Sequence, residues 1–387
     1  MNFKIILILS ISHICIDLTG TALPALMPFL KEPLKLSYTA VGTVIMLSNL
    51  TSSIIQPCFG YISDRMEVKW LLPVSVLLTY AGFSFTGLAP SYLVLLILVI
   101  TNGIGVAVFH PEGFKIMHYF TGSRKATGMS FFQVAGNAGL ALGPLLITYA
   151  IKFANLSGTL LFLTMGLPIL GLLLLFLKEL TLPFKPEMST VQEKTVGSFS
   201  MDGSSKWSSM SLLIIAVTMR SWAHMGLITF VPFYYINVLK GDPLTAGRLV
   251  FIFLVGGVVG TIVGAIIADR IGHKYYVCLS MILSVPLLFL FLQVSGIWVF
   301  LLLFLIGLVL ISSFTVTVVM GQTLLRDRLG MASGLMLGFS IGMGGVGAGV
   351  LGIVADTWGI LTVFNLITYM PAIGFIPTLM ISYPHHK

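Results

Sequence analysis

The chain has 387 residues, of which 57% are hydrophobic and only 9% are charged, and its mean hydropathy is +1.03. Soluble domains carry about 25% charged residues, so this composition cannot cover a water-facing surface and excludes a soluble enzyme or binding module. The formal net charge of +8 would suit a nucleic-acid partner. Lys and Arg fall in connectors on one side, however, and this positive-inside pattern of membrane proteins explains the charge without a polyanion.

Apolar segments of membrane length follow one another along the chain, and each is long enough to cross the hydrocarbon, which takes about 20 residues. The twelve predicted spans are 5–29, 39–63, 70–90, 91–116, 124–152, 157–179, 209–238, 244–269, 275–294, 297–322, 329–354 and 358–382. The distribution of Lys and Arg among the connectors predicts that both termini are cytoplasmic in a multi-pass protein of the inner membrane.

One long polar stretch, residues 180–208, interrupts this series. It contains Pro, Gly and many Ser residues, which is typical of a flexible linker. The sequence therefore predicts two six-helix halves, residues 1–179 and 209–387, joined by a cytoplasmic linker.

The two halves repeat each other. FGYISDRMEVK (59–69) and GAIIADRIGHK (264–274) each close the second span of their half, and Asp64 recurs as Asp269, which is 269 − 64 = 205 residues later. Parallel repeats of this kind place a substrate site between the halves near the membrane midplane. The predicted fold is thus an all-α membrane protein of twelve transmembrane helices in two pseudo-symmetric halves.

The D-R-x-x-x-K connectors after spans 2 and 8 resemble the cytoplasmic signature of the major facilitator superfamily. Further stretches are similar to its fosmidomycin-resistance branch, namely SHICIDLTGTALPALMPFLKE (12–32), NLTSSIIQPCFGYISDR (49–65), VFHPEGFK (108–115) and FFQVAGNAGLALGPLL (131–146). The resemblance implies the major facilitator fold and an antibiotic-resistance or metabolite efflux protein driven by proton influx.

Ionisable residues at membrane depth are costly and rare, so the few in this chain are functional candidates. His13 and Asp17 share a face of span 1, roughly 12–18 Å from its cytoplasmic end. Arg220 and His224 repeat this i,i+4 arrangement in span 7, the counterpart of span 1. The residues predicted to couple transport to protons are Asp17, Glu112, His13 and His110.

A mid-membrane Arg stays protonated and needs an anionic partner. We expect Arg220 to face Asp17 or Glu112 across the cavity when substrate is absent, and a proton or an anionic substrate group to compete for that pair. The alternative is a fixed ion pair that only locks the bundle. The residues predicted to contact substrate are Arg220, His224, Gln133, Asn137 and Trp222, and packing between helices is the alternative for each.

The repeated connectors are predicted to form the cytoplasmic gate. Its residues are Asp64, Arg65, Lys69, Asp269, Arg270 and Lys274. Asp64 would cap the positive N-terminal end of span 11, and Asp269 that of span 5. The alternative is that Arg and Lys here only set the topology.

The sequence as a whole favours a proton-coupled antiporter that exports small amphipathic or anionic compounds by alternating access. We expect a monomer in lipid whose partners are substrate and protons, with no cofactor, metal or nucleic acid. An importer or divalent metal-ion carrier on the same fold is the alternative, with His13, Asp17, His110 and Glu112 as ligands. An intramembrane enzyme or sensor is disfavoured, because no nucleophile–base pattern or nucleotide-binding loop occurs in the sequence.

Overall fold

The computed structural model describes residues 2–65, 70–121, 125–180, 203–325 and 329–383, with side chains omitted at 63–65, 125–127, 203–205, 329–330 and 333. In the first half the helices are α1 Phe3–Lys31, α2 Tyr38–Arg65, α3 Leu71–Ser84, α4 Tyr92–Phe120, α5 Lys125–Ala154 and α6 Leu163–Leu175. Short helical turns, Thr86–Leu88, Asn155–Phe162 and Leu177–Leu180, follow α3, α5 and α6.

In the second half, four helices are continuous: α7 Gly203–Asn237, α8 Pro243–Ile271, α9 His273–Phe291 and α12 Ile360–Met380. The other two are interrupted. Helix α10 consists of Ile297–Leu310 and Ser313–Leu324, and α11 consists of Leu329–Gly334, one π-helical turn Leu335–Phe339, and Ser340–Trp358.

Eleven stretches of the described residues are long and apolar enough to span a membrane. One of them, Gly128–Leu175, is 48 residues long and contains most of α5 and all of α6. It counts as two crossings, which gives the twelve predicted spans. Most of the predicted linker 180–208 lies outside the described residues, and its last six residues belong to α7.

Local sequence sets several helix ends. Ser91 caps α4 by accepting from the Val94 amide, and Asp242 caps α8 by accepting from the Thr245 amide. Gly272 and Gly359, with φ of 97° and 85°, end α8 and α11 because few other residues adopt this conformation.

The two halves are built from the same helix pairs. Helix α1 packs on α5 as α7 packs on α11, and α2 packs on α4 as α8 packs on α10. The contacts between halves repeat this symmetry, with α2 against α11 and α5 against α8. The predicted pseudo-symmetric fold is therefore confirmed.

At one end of the bundle, several hydrogen bonds join the two halves. There the Asp356 carboxylate accepts hydrogen bonds from the amides of Tyr38 and Thr39, at 2.8 and 2.7 Å, and so caps α2 from α11. Asn237 also donates to the Tyr38 hydroxyl at 2.8 Å. Arg248 of α8 donates to the Tyr149 hydroxyl of α5 at 2.7 Å.

Glycines along α11 show how this interface opens towards the other end. A methyl group added at Gly352 would collide with the Tyr38 carbonyl, and one at Gly345 would lie 2.7 Å from Asn49 Cβ. At Gly338 the nearest atom across the interface is 3.9 Å away, and at Gly334 nothing among the described residues lies within 4 Å. Among the described residues, the contacts of α11 with α2 thus become looser towards Gly334.

Candidate functional site

Three ionisable side chains from α1 and α4 meet in a cluster that we call the His–Asp–His cluster: His13, Asp17 and His110. Nε2 of His13 lies 3.1 Å from Oδ2 of Asp17, and Nε2 of His110 lies 3.2 Å from Oδ1. The His13 side chain is only 2% exposed, whereas those of Asp17 and His110 are 12% and 19% exposed. The carboxylate therefore bridges two imidazoles and keeps some solvent access on the His110 side.

Backbone carbonyls fix both imidazole rings. Nδ1 of His13 contacts the Phe132 carbonyl at 2.8 Å, and Nδ1 of His110 contacts the Val106 carbonyl at 2.9 Å. A carbonyl oxygen only accepts hydrogen bonds, so each Nδ1 must carry a hydrogen. Each contact between a histidine Nε2 and an Asp17 oxygen is then a hydrogen bond only if a second proton lies between those two atoms. The fully hydrogen-bonded cluster holds two exchangeable protons shared by three groups, and losing one of them costs a hydrogen bond.

Helix α5 forms the wall behind this cluster. A methyl group built on Gly136 would lie 2.6 Å from both Asp17 Oδ2 and His13 Nε2, so glycine is needed for the cluster to fit. The Phe132 ring lies 4.0 Å from the His13 ring, centroid to centroid, and Phe109 and Phe114 also contact that ring. These three phenylalanines were not predicted as site residues, since aromatic side chains in an apolar helix carry no distinguishing signal.

Glu112 was expected to join this group but does not. Its carboxylate is buried and lies 3.3 Å from Lys115 Nζ, one turn along α4. Residues two apart on a helix differ by about 200° in direction, so His110 and Glu112 cannot face the same cavity. The structure thus unites three of the four predicted proton-coupling residues.

Arg220 is buried in the second half, with only 3% of the residue exposed. Its Nη1 donates to the Thr317 hydroxyl of α10 at 3.1 Å, and the guanidinium lies 4.9 Å from the centre of the Phe314 ring. Within the described residues, no carboxylate lies at ion-pair distance from Arg220. The expected pair with Asp17 or Glu112 is therefore absent from this structure, because each carboxylate contacts residues of its own half.

The other predicted substrate contacts are spread over α5 and α7. Gln133 is exposed and Asn137 is half-buried on α5. On α7, His224 lies 5.7 Å from the Phe253 ring, centroid to centroid. Trp222 packs against Gly347 of α11, and its Nε1 is buried with no hydrogen-bond partner among the described residues.

Only the second copy of the predicted gate is described with its side chains. Lys69 lies outside the described residues, as do the side chains of Asp64 and Arg65. Asp269 is 77% exposed and lies 3.4 Å from Nε2 of His273 in its own connector, so the expected cap on α5 is not among the described contacts. Lys274 donates to the carbonyls of Leu379 and Ile381, both at 2.8 Å, and thereby holds the end of α12. Arg270 is exposed.

The His–Asp–His cluster is also where the described side chains come closest to a metal site. Its two nitrogens and one carboxylate oxygen lie within 4.8 Å of one another. Two ligands at about 2.1 Å from one Zn²⁺ ion are at most about 4.2 Å apart. The observed contacts of 3.1 and 3.2 Å, each to a different carboxylate oxygen, lie within that limit and are also hydrogen-bond distances.

Comparisons with known proteins agree with this architecture. The chain is 30% identical over 386 residues to an uncharacterized MFS-type transporter, YfnC, of Bacillus subtilis, covering 98% of this chain and 93% of the relative. It is 29% identical to the fosmidomycin resistance protein of Escherichia coli, covering 100% of this chain and 94% of that protein.

Solved structures show the same fold. A bacterial homolog of the human lysosomal transporter Spinster, in an inward-facing and unoccupied conformation, superposes with a TM-score of 0.81 at 14% identity, over 98% of this chain and 97% of that chain. The nucleoside transporter NupG gives 0.73 at 16% identity, over 99% of this chain and 100% of that chain. The sequence profile of the Major Facilitator Superfamily matches residues 9–339. This chain is a multi-pass membrane transporter that belongs to the Major Facilitator Superfamily.

Proposed function

We propose that this transporter is a proton-coupled antiporter that exports small amphipathic or anionic compounds by alternating access. The observation that carries this proposal is the His–Asp–His cluster. Asp17 lies at hydrogen-bond distance from two imidazoles whose Nδ1 atoms are held by backbone carbonyls. A buried group of this kind, partly open to solvent, can gain or lose a proton without losing its framework.

The charge of the cluster changes with its protons. With two shared protons, the three side chains carry a net charge of +1, and with one shared proton they are neutral. In the neutral form one contact between Asp17 and an imidazole lacks a hydrogen, so the two nearest lone pairs repel. The conformation that relieves this repulsion differs from the one that holds both protons, and a proton can therefore bias the equilibrium between conformations.

The orientation of the bundle gives this coupling its direction. We infer that both termini face the cytoplasm and that the protein lies in the inner membrane. The end closed by Asp356 is then external, and the cavity opens to the cytoplasm. In that arrangement the cluster releases a proton inwards, substrate binds from the cytoplasm, and external protons later displace it.

The connectors after α2 and α8 complete the proposed cycle as a cytoplasmic gate. Asp64, Arg65, Lys69, Asp269, Arg270 and Lys274 would engage when the cytoplasmic ends of the halves close. The exposure of Asp269 and Arg270 supports an open gate in the present conformation. We also propose that the transporter works as a monomer.

The resistance protein of Escherichia coli supports a drug as substrate, because its name records resistance to fosmidomycin and the similarity extends over the whole chain. An importer or divalent metal-ion carrier is the second candidate, and the nitrogen and carboxylate ligands of the cluster are the observation that favours it. Stabilisation of the purified protein by Zn²⁺ or Mn²⁺, lost in Asp17→Asn, would support that candidate over ours.

The proposal is tested by uptake into inverted membrane vesicles, first with fosmidomycin and then with a panel of drugs. An interior-acidic pH gradient should drive uptake by the wild type, and a protonophore should abolish it. Asp17→Asn should remove the response to the gradient. Asp242→Asn is the matched control, because the described hydrogen bond of Asp242 caps α8 and asparagine caps equally well. Uptake by the wild type that does not depend on the pH gradient would overturn the proposal.

A further inference from the structure

The second half contains another group of polar side chains on the helices that correspond to those of the His–Asp–His cluster. Arg220 and His224 are four residues apart on α7, as His13 and Asp17 are on α1. The third member of this group is Thr317, which contacts Arg220. They lie on α7 and α10, which correspond to α1 and α4. The repeat thus places a carboxylate between imidazoles in one half and a guanidinium beside a hydroxyl in the other.

The guanidinium of Arg220 is only partly satisfied. It has five N–H donors, of which Nη1 contacts the Thr317 hydroxyl at 3.1 Å, while Nη2 is buried and has no hydrogen-bond partner among the described residues. The centre of the Phe314 ring lies 4.9 Å from the guanidinium, and His224 follows one turn along α7. A buried charge with free donors is expensive, and such a group calls for a ligand.

The local chemistry selects the kind of ligand. The Thr317 hydroxyl donates to the Phe314 carbonyl at 2.8 Å, which leaves its lone pairs to accept from Arg220 and fixes the direction of the guanidinium. A planar fork with free N–H groups binds the paired oxygens of a carboxylate or phosphonate. Asp17 contacts His13 and His110, and Glu112 contacts Lys115, so each carboxylate is already engaged within its own half.

We propose that Arg220, oriented by Thr317, binds an oxyanion group of the transported compound, either a carboxylate or a phosphonate. This inference rests on the proposed transport function and assigns its substrate class. The proton site and the anion site then occupy corresponding helices of the two halves. Both sites can therefore influence the same rearrangement of α1 and α4 against α7 and α10.

Binding is measured without any proton gradient, as the shift of thermal unfolding of the purified full-length protein in detergent. The probes are propylphosphonate and butyrate, with diethyl propylphosphonate and butyramide as their neutral counterparts. Both anions should stabilise the wild type in a concentration-dependent way, and the neutral compounds should not. A preference between the two anions identifies the oxyanion.

Two variants and one control decide the residue assignment. Arg220→Lys keeps the positive charge but loses the planar guanidinium with its paired N–H groups. Thr317→Val loses the hydroxyl that orients the guanidinium of Arg220. Each should weaken anion binding about tenfold or more, which is the loss of one hydrogen bond to a charged group. Thr368→Val is the matched control, because Thr368 is buried and its described hydrogen bond goes to the Phe364 carbonyl of its own helix. It should bind the anions like the wild type.

Several results would overturn the assignment. These are stabilisation by the neutral compounds equal to that by the anions, no stabilisation by either anion at roughly ten-millimolar concentration, or undiminished binding in Arg220→Lys. Should Arg220→Lys fail to fold, Thr317→Val decides in the same way. Gradient-driven uptake without anion binding would refute this inference and leave the proposed function standing. Anion binding without gradient-driven uptake would refute the proposed function alone.

Discussion

Replacing Gly136 by alanine would test the geometry of the proton site without removing any ionisable group. The new methyl carbon would lie 2.6 Å from Asp17 Oδ2 and from His13 Nε2. Ordinary contacts begin at 3.4 Å, so one or both groups must move by about 3.4 − 2.6 = 0.8 Å. The His13–Asp17 contact, now 3.1 Å, would then lengthen beyond hydrogen-bonding distance.

The expected cost is one hydrogen bond between charged groups, about 2 kcal/mol. This corresponds to roughly a thirtyfold loss in gradient-driven uptake by inverted vesicles, if the cluster must hold both protons in the transport cycle. The amount of folded protein should change little, because α5 tolerates alanine well as a helical residue.

Gly171→Ala provides the control for this substitution. Gly171 is also helical, in α6, but nothing among the described residues lies within 4 Å of the position that its methyl group would occupy. Uptake and its response to pH should therefore match the wild type. If Gly136→Ala transported normally with an unchanged pH profile, the close contact between α5 and the cluster would be irrelevant to coupling and our reasoning would be wrong.

Two further substitutions address conformation and stability. Asp356→Ala removes the carboxylate that accepts hydrogen bonds from the amides of Tyr38 and Thr39. Spin labels at residues 35 and 240 should therefore move apart relative to the parent protein. Unchanged distances between the labels would show that this contact does not hold the halves together. Lys274→Met removes two hydrogen bonds to the end of α12, so it should lower the melting temperature while anion binding is retained. An unchanged melting temperature would show that these hydrogen bonds contribute nothing to stability.

The sequence predicted the fold well because hydrophobic length and a repeat of 205 residues are properties of the chain itself. It did not predict the interruptions in the second half. The predicted span 297–322 is broken at residues 311–312, and the span 329–354 contains the π-helical turn Leu335–Phe339. Hydropathy averages over a window of many residues and does not detect a local change in hydrogen bonding.

The candidate site was only partly predictable for a related reason. The i,i+4 spacing predicted that His13 and Asp17 would meet, since both lie on one helix. Which face of α4 would meet α1 depends on how the two helices rotate against each other, and spacing does not fix this rotation. As a result His110 reaches Asp17, while Glu112 turns towards Lys115. The Thr317 partner of Arg220 was missed because a threonine in an apolar helix carries no signal by itself.

The most direct test of the account is the response of uptake to an imposed pH gradient in Asp17→Asn vesicles. Fosmidomycin uptake should rise with an interior-acidic gradient in the wild type and in Asp242→Asn. In Asp17→Asn it should stay at the level seen without a gradient, although the protein is folded and still binds propylphosphonate. Gradient-driven uptake by Asp17→Asn equal to that of the wild type would contradict the central claim that the His–Asp–His cluster carries the coupled proton.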